Sequence, residues 1–241
     1  MIRIFIQQEN ITGDNVTVTG ADSVHLSSSL RIRPGEKIIC CDGAGADYVC
    51  TVISSSPQTT VLKIDEEKKS DSEPPYKVRL FQSLPKGDKF EFIIQKATEL
   101  GVFSVTPVIS ERCISRPDEK SLCKKLVRWQ AIAREAAQQS GRGTVPQICT
   151  PVTFSAALQT LPENALKLFC YEDEKKTGLR EALTKNDDIC VFVGPEGGYS
   201  SAEYGAAKDA GLSSVSLGKR ILRCETAPLF VLSSLIYEFE L

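Results

Sequence analysis

From residue 78 to the end of the chain, short β-branched or aliphatic runs alternate with longer segments of helical spacing. Such an alternation points to a mostly parallel sheet with helices on its faces, because parallel neighbours need a crossover and a helix supplies it. Residues 78–84 read as a strand, after which Phe90, Ile93, Ile94, Ala97 and Leu100 mark the apolar face of a helix stopped by Gly101. Residues 103–109 form the next strand. A long helix over about 118–139 carries Leu122, Leu126, Trp129, Ala133 and Ala136 on one face and Lys120, Lys124, Arg128 and Arg134 on the other, so Trp129 is expected in the core. Strands at 166–171, 189–193 and 214–217 bring the count to about five, with a short helix at 179–183.

Residues 1–72 have a different texture. Strand-like runs at 3–6, 16–19, 37–41, 48–54 and 60–64 are separated by turn signals, and a short helix fits 21–30. Short strands at regular spacing suggest a small β-barrel, with Asp42-Gly43-Ala44-Gly45 as a hairpin-type turn. The charged, proline-containing stretch 65–75 reads as a linker. Two domains are expected, 1–72 and 73–241, within a 241-residue chain whose 41% hydrophobic content supports a substantial core.

Several chemistries are excluded early. No apolar run approaches the roughly 20 residues needed to span a bilayer, and the start is too soon interrupted for a signal peptide, so a cytoplasmic protein is expected. Nine cysteines without C-x-x-C spacing and a single histidine, His25, argue against a metal and against a Ser-His-Asp triad. Net charge is −2, yet residues 116–142 hold seven basic against three acidic residues. Charge alone leaves that segment open between a phosphate-facing surface and a solvated helix face.

Two loops near the end look built for chemistry. Gly194-Pro195-Glu196-Gly197-Gly198 follows a buried strand, and Ser200 with Glu203 forms a capping box that starts the next helix. Neither the P-loop nor the dinucleotide fingerprint is present, and Glu196 would repel a pyrophosphate. An adenosine read by backbone groups, or a cationic ligand, suits the loop better. The second loop gathers Lys219, Arg220, Arg223 and Glu225 around Ile221 and Leu222, with Thr226 as a candidate N-cap for the last helix.

These loops, together with Lys86-Gly87-Asp88-Lys89, Gln95-Lys96-Ala97-Thr98-Glu99-Leu100-Gly101 and Arg134-Glu135-Ala136-Ala137-Gln138-Gln139-Ser140-Gly141-Arg142, resemble the RsmE family of ribosomal RNA methyltransferases, within the SPOUT superfamily. Leu30-Arg31-Ile32-Arg33-Pro34-Gly35 extends the likeness into the first domain. The resemblance implies a PUA-like β-barrel followed by an α/β domain with a deep trefoil knot. It further implies a homodimer that binds S-adenosylmethionine and methylates N3 of one uridine near the 3′ end of 16S rRNA. By the same resemblance, the cofactor lies against Phe169, Cys170, Gly194, Gly197, Leu217, Gly218, Leu222 and Ala227.

Methylating uracil N3 requires loss of the imide proton and stabilisation of the charge left on the ring. Arg223 is the candidate for charge stabilisation, since a guanidinium stays protonated. Glu225 is the candidate proton acceptor, with Glu196 as the other carboxylate in play. Arg3, Arg31, Arg33, Lys86, Arg134 and Arg142 are the candidate phosphate contacts. A non-catalytic RNA-binding assembly factor, in which the loops are only structural, is the competing reading.

Overall fold

The computed structural model describes residues 1–116 and 118–241. The chain divides into two compact units, Met1–Glu73 with Ala137–Val145, and Pro74–Ala136 with Pro146–Leu241.

The first unit is built on strands β1 (Ile2–Phe5), β2 (Ile11–Thr12), β3 (Asn15–Thr19), β4 (Lys37–Cys41), β5 (Ala46–Ser55) and β6 (Thr59–Lys69). They form one six-stranded sheet in the order β1-β4-β5-β6-β3-β2, with β1 parallel to β4 and the other pairs antiparallel. Alternation along these strands sends Ile4, Val16, Ile38, Val52 and Leu62 into a core closed by Leu26. Leu26 comes from the helical segment after β3, where α1 (Gly20–Val24) runs into a π-turn over His25–Ser29. The Asp42–Gly45 turn joins β4 to β5 as expected: Asp42 Oδ1 accepts from the amides of Ala44 (2.7 Å) and Ala46 (2.9 Å). Gly43 and Gly45 there take φ of 76° and 111°, values that a side chain would strain.

The first part of the expected linker, residues 65–69, is strand. β6 continues to Lys69 and pairs Glu66–Lys69 with Ala46–Val49, its polar residues exposed on a solvated ribbon. Charge signalled solvent exposure there, and exposure is compatible with a ladder. Irregular pairing between Val49 and Cys50 and between Val52 and Ser54 bends this hairpin.

Two expected phosphate contacts are corrected by the same unit. Arg3 grips Asp47 with both ends of its guanidinium, at 2.7 and 2.8 Å, the two side chains being 9% and 1% exposed. Arg142 pairs with Glu73 at 2.7 Å and is 4% exposed. Both arginines are turned inward onto carboxylates of their own unit rather than presented to solvent.

The second unit holds strands β7 (Lys77–Ser83), β8 (Ser104–Ile109), β9 (Gln147–Ile148), β10 (Val152–Thr153), β11 (Leu166–Cys170), β12 (Asp188–Val193) and β13 (Ser213–Val215). Its helices are α2 (Lys89–Glu99), α3 (Glu119–Ser140), α4 (Phe154–Gln159), α5 (Leu179–Ala182), α6 (Ser201–Asp209) and α7 (Thr226–Phe239), with the last turn of α3 counted in the first unit. All pairs are parallel, in the order β10-β8-β7-β12-β11-β13, and β9 pairs with β8. The seven strands exceed the expected five because β9 and β10 are two residues each, too short to show a period.

The order of these strands sets the position of the site. β8 lies on one side of β7 and β12 on the other, so the chain changes direction across the sheet between β7 and β12. Crevices that hold ligands open at the carboxyl ends of strands beside such a point. Behind it lies an aromatic core in which Phe81 stacks on Phe192 at 4.5 Å and Phe169 packs on Tyr199 at 4.4 Å. Trp129 is buried edge-on against Phe90, as its place on the apolar stripe of α3 predicts.

Candidate active site

The first loop leaves the fully buried end of β12. Two of its glycines sit where a side chain would be strained: a Cβ on Gly194 would stand 3.3 Å from the Tyr199 ring, and Gly198 takes a φ of 64°, with the Glu172 carboxylate lying over it. The loop is tied at both ends. Arg112 Nη1 donates to the Gly197 carbonyl at 2.8 Å. The Ser200 and Glu203 side chains each accept from the other's amide, at 3.3 and 3.0 Å, forming the expected capping box.

The second loop leaves β13, and Gly218 turns it with a φ of 110°. The Arg223 carbonyl then accepts from the amides of Thr226 (2.8 Å) and Ala227 (3.0 Å), which starts α7. Glu225 therefore occupies the N-cap, and Thr226 is the first helical residue rather than the cap expected of it. The turn closes through backbone, and no side chain caps this helix.

Between the loops lies a cleft of about 270 Å³. Cys170, Gly194, Leu217, Gly218, Leu222 and Ala227 line it, so six of the eight expected cofactor contacts converge, together with Arg223. Phe169 stands behind the wall, buried against Tyr199, and Gly197 is turned toward Arg112; neither lines the cleft. A third wall, contributed by Tyr171, Glu172 and Lys175 after β11, escaped the sequence reading. The rule that placed the other two loops, a turn at the carboxyl end of a strand, applies to it equally.

Charge is arranged asymmetrically around the cleft. Lys89 Nζ sits 2.9 Å from Glu196 Oε1 and 3.6 Å from Glu225 Oε2, tying a carboxylate from each loop to the start of α2. Glu196 also accepts from the Lys86 amide (3.1 Å), and the Cys224 thiol donates to Glu225 (3.1 Å). Burial raises both carboxyls, but these hydrogen bonds and the Lys89 charge outweigh it and hold both below their usual range. Burial pushes the Cys170 and Cys224 thiols up to about 12, so neither is a thiolate at neutral pH. Arg223 is exposed and has no ion pair among the described residues. Replacing Lys89 with methionine is expected to slow turnover about tenfold by loosening both loops, with the thermal midpoint moving by only about 2 °C. Steady-state kinetics beside a melting curve checks this, and unchanged turnover would remove the tie from the site's design.

Of the remaining expected RNA contacts, Arg31, Arg33 and Lys86 are exposed, while Arg134 is half-buried. Arg31 stands in the left-handed region at φ 53°, alone in this among the described non-glycine residues. His25 is exposed.

Residues 72–236 match the model of a family described as RNA methyltransferase domain, and residues 18–65 match one described as RNA methyltransferase PUA domain. The ribosomal RNA small subunit methyltransferase E of Bacillus subtilis (strain 168) is 35% identical over 251 aligned positions covering 100% of this chain and 98% of that protein. This chain belongs to the ribosomal RNA small subunit methyltransferase E family. A crystal structure of a family member from Neisseria gonorrhoeae bound to S-adenosyl methionine superposes with a TM-score of 0.91 at 35% identity, covering 99% of this chain and 98% of that one. A Legionella pneumophila methyltransferase in complex with its bound cofactor SAM superposes with a TM-score of 0.89 at 30% identity, over 98% and 97% of the two chains. Family membership thus extends over both units, and the aligned region includes both loops of the cleft.

Proposed function

We propose that this chain is an S-adenosylmethionine-dependent methyltransferase that modifies N3 of a uridine near the 3′ end of 16S rRNA. The carrying observation is the cleft itself: two strand-end loops meet around backbone groups and apolar side chains, with two guanidinium groups, Arg220 and Arg223, that make no ion pair among the described residues. The residues fit the cofactor. Gly194 and Gly198 let main chain approach a ligand closely, Leu217 and Leu222 offer apolar contact for an adenine, and no triphosphate cradle is present.

Bound there, the cofactor supplies an electrophilic methyl group on a sulfonium. The chain's own residues do the rest. Arg223 stabilises the negative charge that develops on the uracil ring as the N3 proton leaves. Glu225, kept ionised by Cys224 and Lys89, accepts that proton and releases it to solvent. Lys86, Arg31 and Arg33 position RNA through its phosphates, and the target base is extruded so that N3 is freed from pairing.

The reading includes a homodimer and the trefoil knot of the SPOUT superfamily. Phe230, Tyr237 and Leu241, exposed at 44%, 75% and 94%, give α7 and the chain just past it an apolar surface suited to a second copy. The reading also places the protein in the cytoplasm, acting on the small ribosomal subunit without a metal. No described helix is long and apolar enough to cross a membrane. Transfer of labelled methyl to naked 16S rRNA and to 30S particles, followed by mapping, is expected to yield one N3-methyluridine. Absence of incorporation into both substrates would overturn the reading.

A further inference from the structure

The turn after β11 is held as firmly as the two loops it faces. Glu174 Oε1 accepts from the amides of Lys176 (2.7 Å) and Thr177 (3.2 Å), and its other oxygen accepts from Ser214 Oγ on β13. The Thr177 carbonyl accepts from the Ser216 amide at 2.9 Å, and the Tyr171 ring stacks on Tyr204 at 4.6 Å. Lys175 Nζ donates back to the Glu172 carbonyl at 2.8 Å. Glu172 is thereby presented on a fixed backbone, with its carboxylate laid over Gly198 of the first loop at the wall of the cleft.

The charges lining the cleft make this position informative. Four cations, Lys175, Lys219, Arg220 and Arg223, line it against two carboxylates, Glu172 and Glu196. Glu196 is already neutralised by Lys89. The Glu172 carboxylate has no hydrogen bond or ion pair among the described residues. A basic rim suits RNA and the cofactor's α-carboxylate, but it repels the sulfonium and the ammonium, which leave that ligand with a net charge of +1.

Resting on the function proposed above, we infer that Glu172 is the counter-ion of the ammonium group at the cofactor's zwitterionic amino-acid end, a binding contact on the wall formed by the 171–177 turn. A carboxylate there offsets the surrounding cations and accepts a charge-assisted hydrogen bond, and the missing side chain of Gly198 is what lets it lie over the first loop.

Calorimetry on the full-length protein tests the assignment with three ligands: S-adenosylmethionine, S-adenosylhomocysteine, which lacks the sulfonium charge, and methylthioadenosine, which lacks the amino-acid end. Glu172→Gln is expected to weaken S-adenosylmethionine about tenfold and to leave methylthioadenosine within about twofold, as loss of one charge-assisted bond requires. Equal weakening of S-adenosylhomocysteine places the carboxylate at the ammonium, as inferred; S-adenosylhomocysteine left unweakened would place it at the sulfonium and overturn the assignment. S-adenosylmethionine affinity unchanged in Glu172→Gln and in Glu172→Ala would overturn it. So would methylthioadenosine weakened in step, which would mean that Glu172 serves the ribose or merely shapes the turn. Wild-type protein that binds none of the three would instead sink the proposed function.

Discussion

Replacing Arg223 with alanine is expected to reduce methyl transfer by about a thousandfold while the dissociation constant for S-adenosylmethionine stays within several-fold, the scale seen when one preorganised donor to a developing anion is removed. The guanidinium is exposed at the cleft and forms no ion pair among the described residues, and although its charge is felt by Glu225 it is available to a substrate. The part of Arg223 that the fold uses is its carbonyl, which accepts from the Thr226 and Ala227 amides and which alanine would keep. A loss confined to turnover is therefore the expected signature. Lysine at this position should recover only part of the rate, since a point charge replaces a fork that can span two atoms of the ring. Single-turnover methyl transfer together with calorimetry separates the two quantities. Turnover unchanged in Arg223→Ala would remove the residue from the chemistry and leave Lys219 or Arg220 to be tested for the role.

Much of the fold was legible because the long elements repeat their pattern over many residues. The apolar stripe on α2 and the position of Trp129 on α3 each follow from a period of 3.6 sustained over several turns, and both are buried as that period requires. The glycines at 194 and 198 were read as leaving room for a ligand; what the fold shows at them is the Tyr199 ring close to Gly194 and a positive φ at Gly198. What stayed hidden was pairing at long sequence distance. Nothing near Arg3 announces Asp47, and nothing near Arg142 announces Glu73, so two internal arginines looked like surface charge. The tie from Lys89 to both loops joins residues more than a hundred positions apart. Short elements failed for a different reason: β9 and β10 take their register from β8, and their own sequences carry no period. The turn after β11 was missed because its charged residues, Glu172 to Lys176, look like ordinary solvated loop.

The inward placement of Arg142 carries the second large effect, this one on stability. Arg142→Met is expected to destabilise the first unit by about 2–3 kcal/mol, somewhat below the 3–5 typical of breaking a fully buried pair because Glu73 is 24% exposed. The cost arises from what remains behind. Glu73 would keep the donors from Gly143, Thr144 and the Thr144 hydroxyl but would lose the cation that balances its charge. The pH dependence follows from the sign of its shift. Burial raises the Glu73 carboxyl, yet the hydrogen bond and charge of Arg142, with Thr144, outweigh burial and hold it below the usual range. A depressed carboxyl contributes stability above its unfolded value, about 4.3, and loses that contribution as pH falls through the folded value. The gap between wild type and Arg142→Met should therefore be widest near neutrality and narrow below about pH 4. Hydrogen exchange at the amides of β4 and β5 reports the unit directly, independently of the second unit. The double variant Arg142→Met with Glu73→Leu should regain much of the loss, because no charge is then left alone. An Arg142→Met protein as stable as wild type at neutral pH would break this account and return Arg142 to the residues that face RNA.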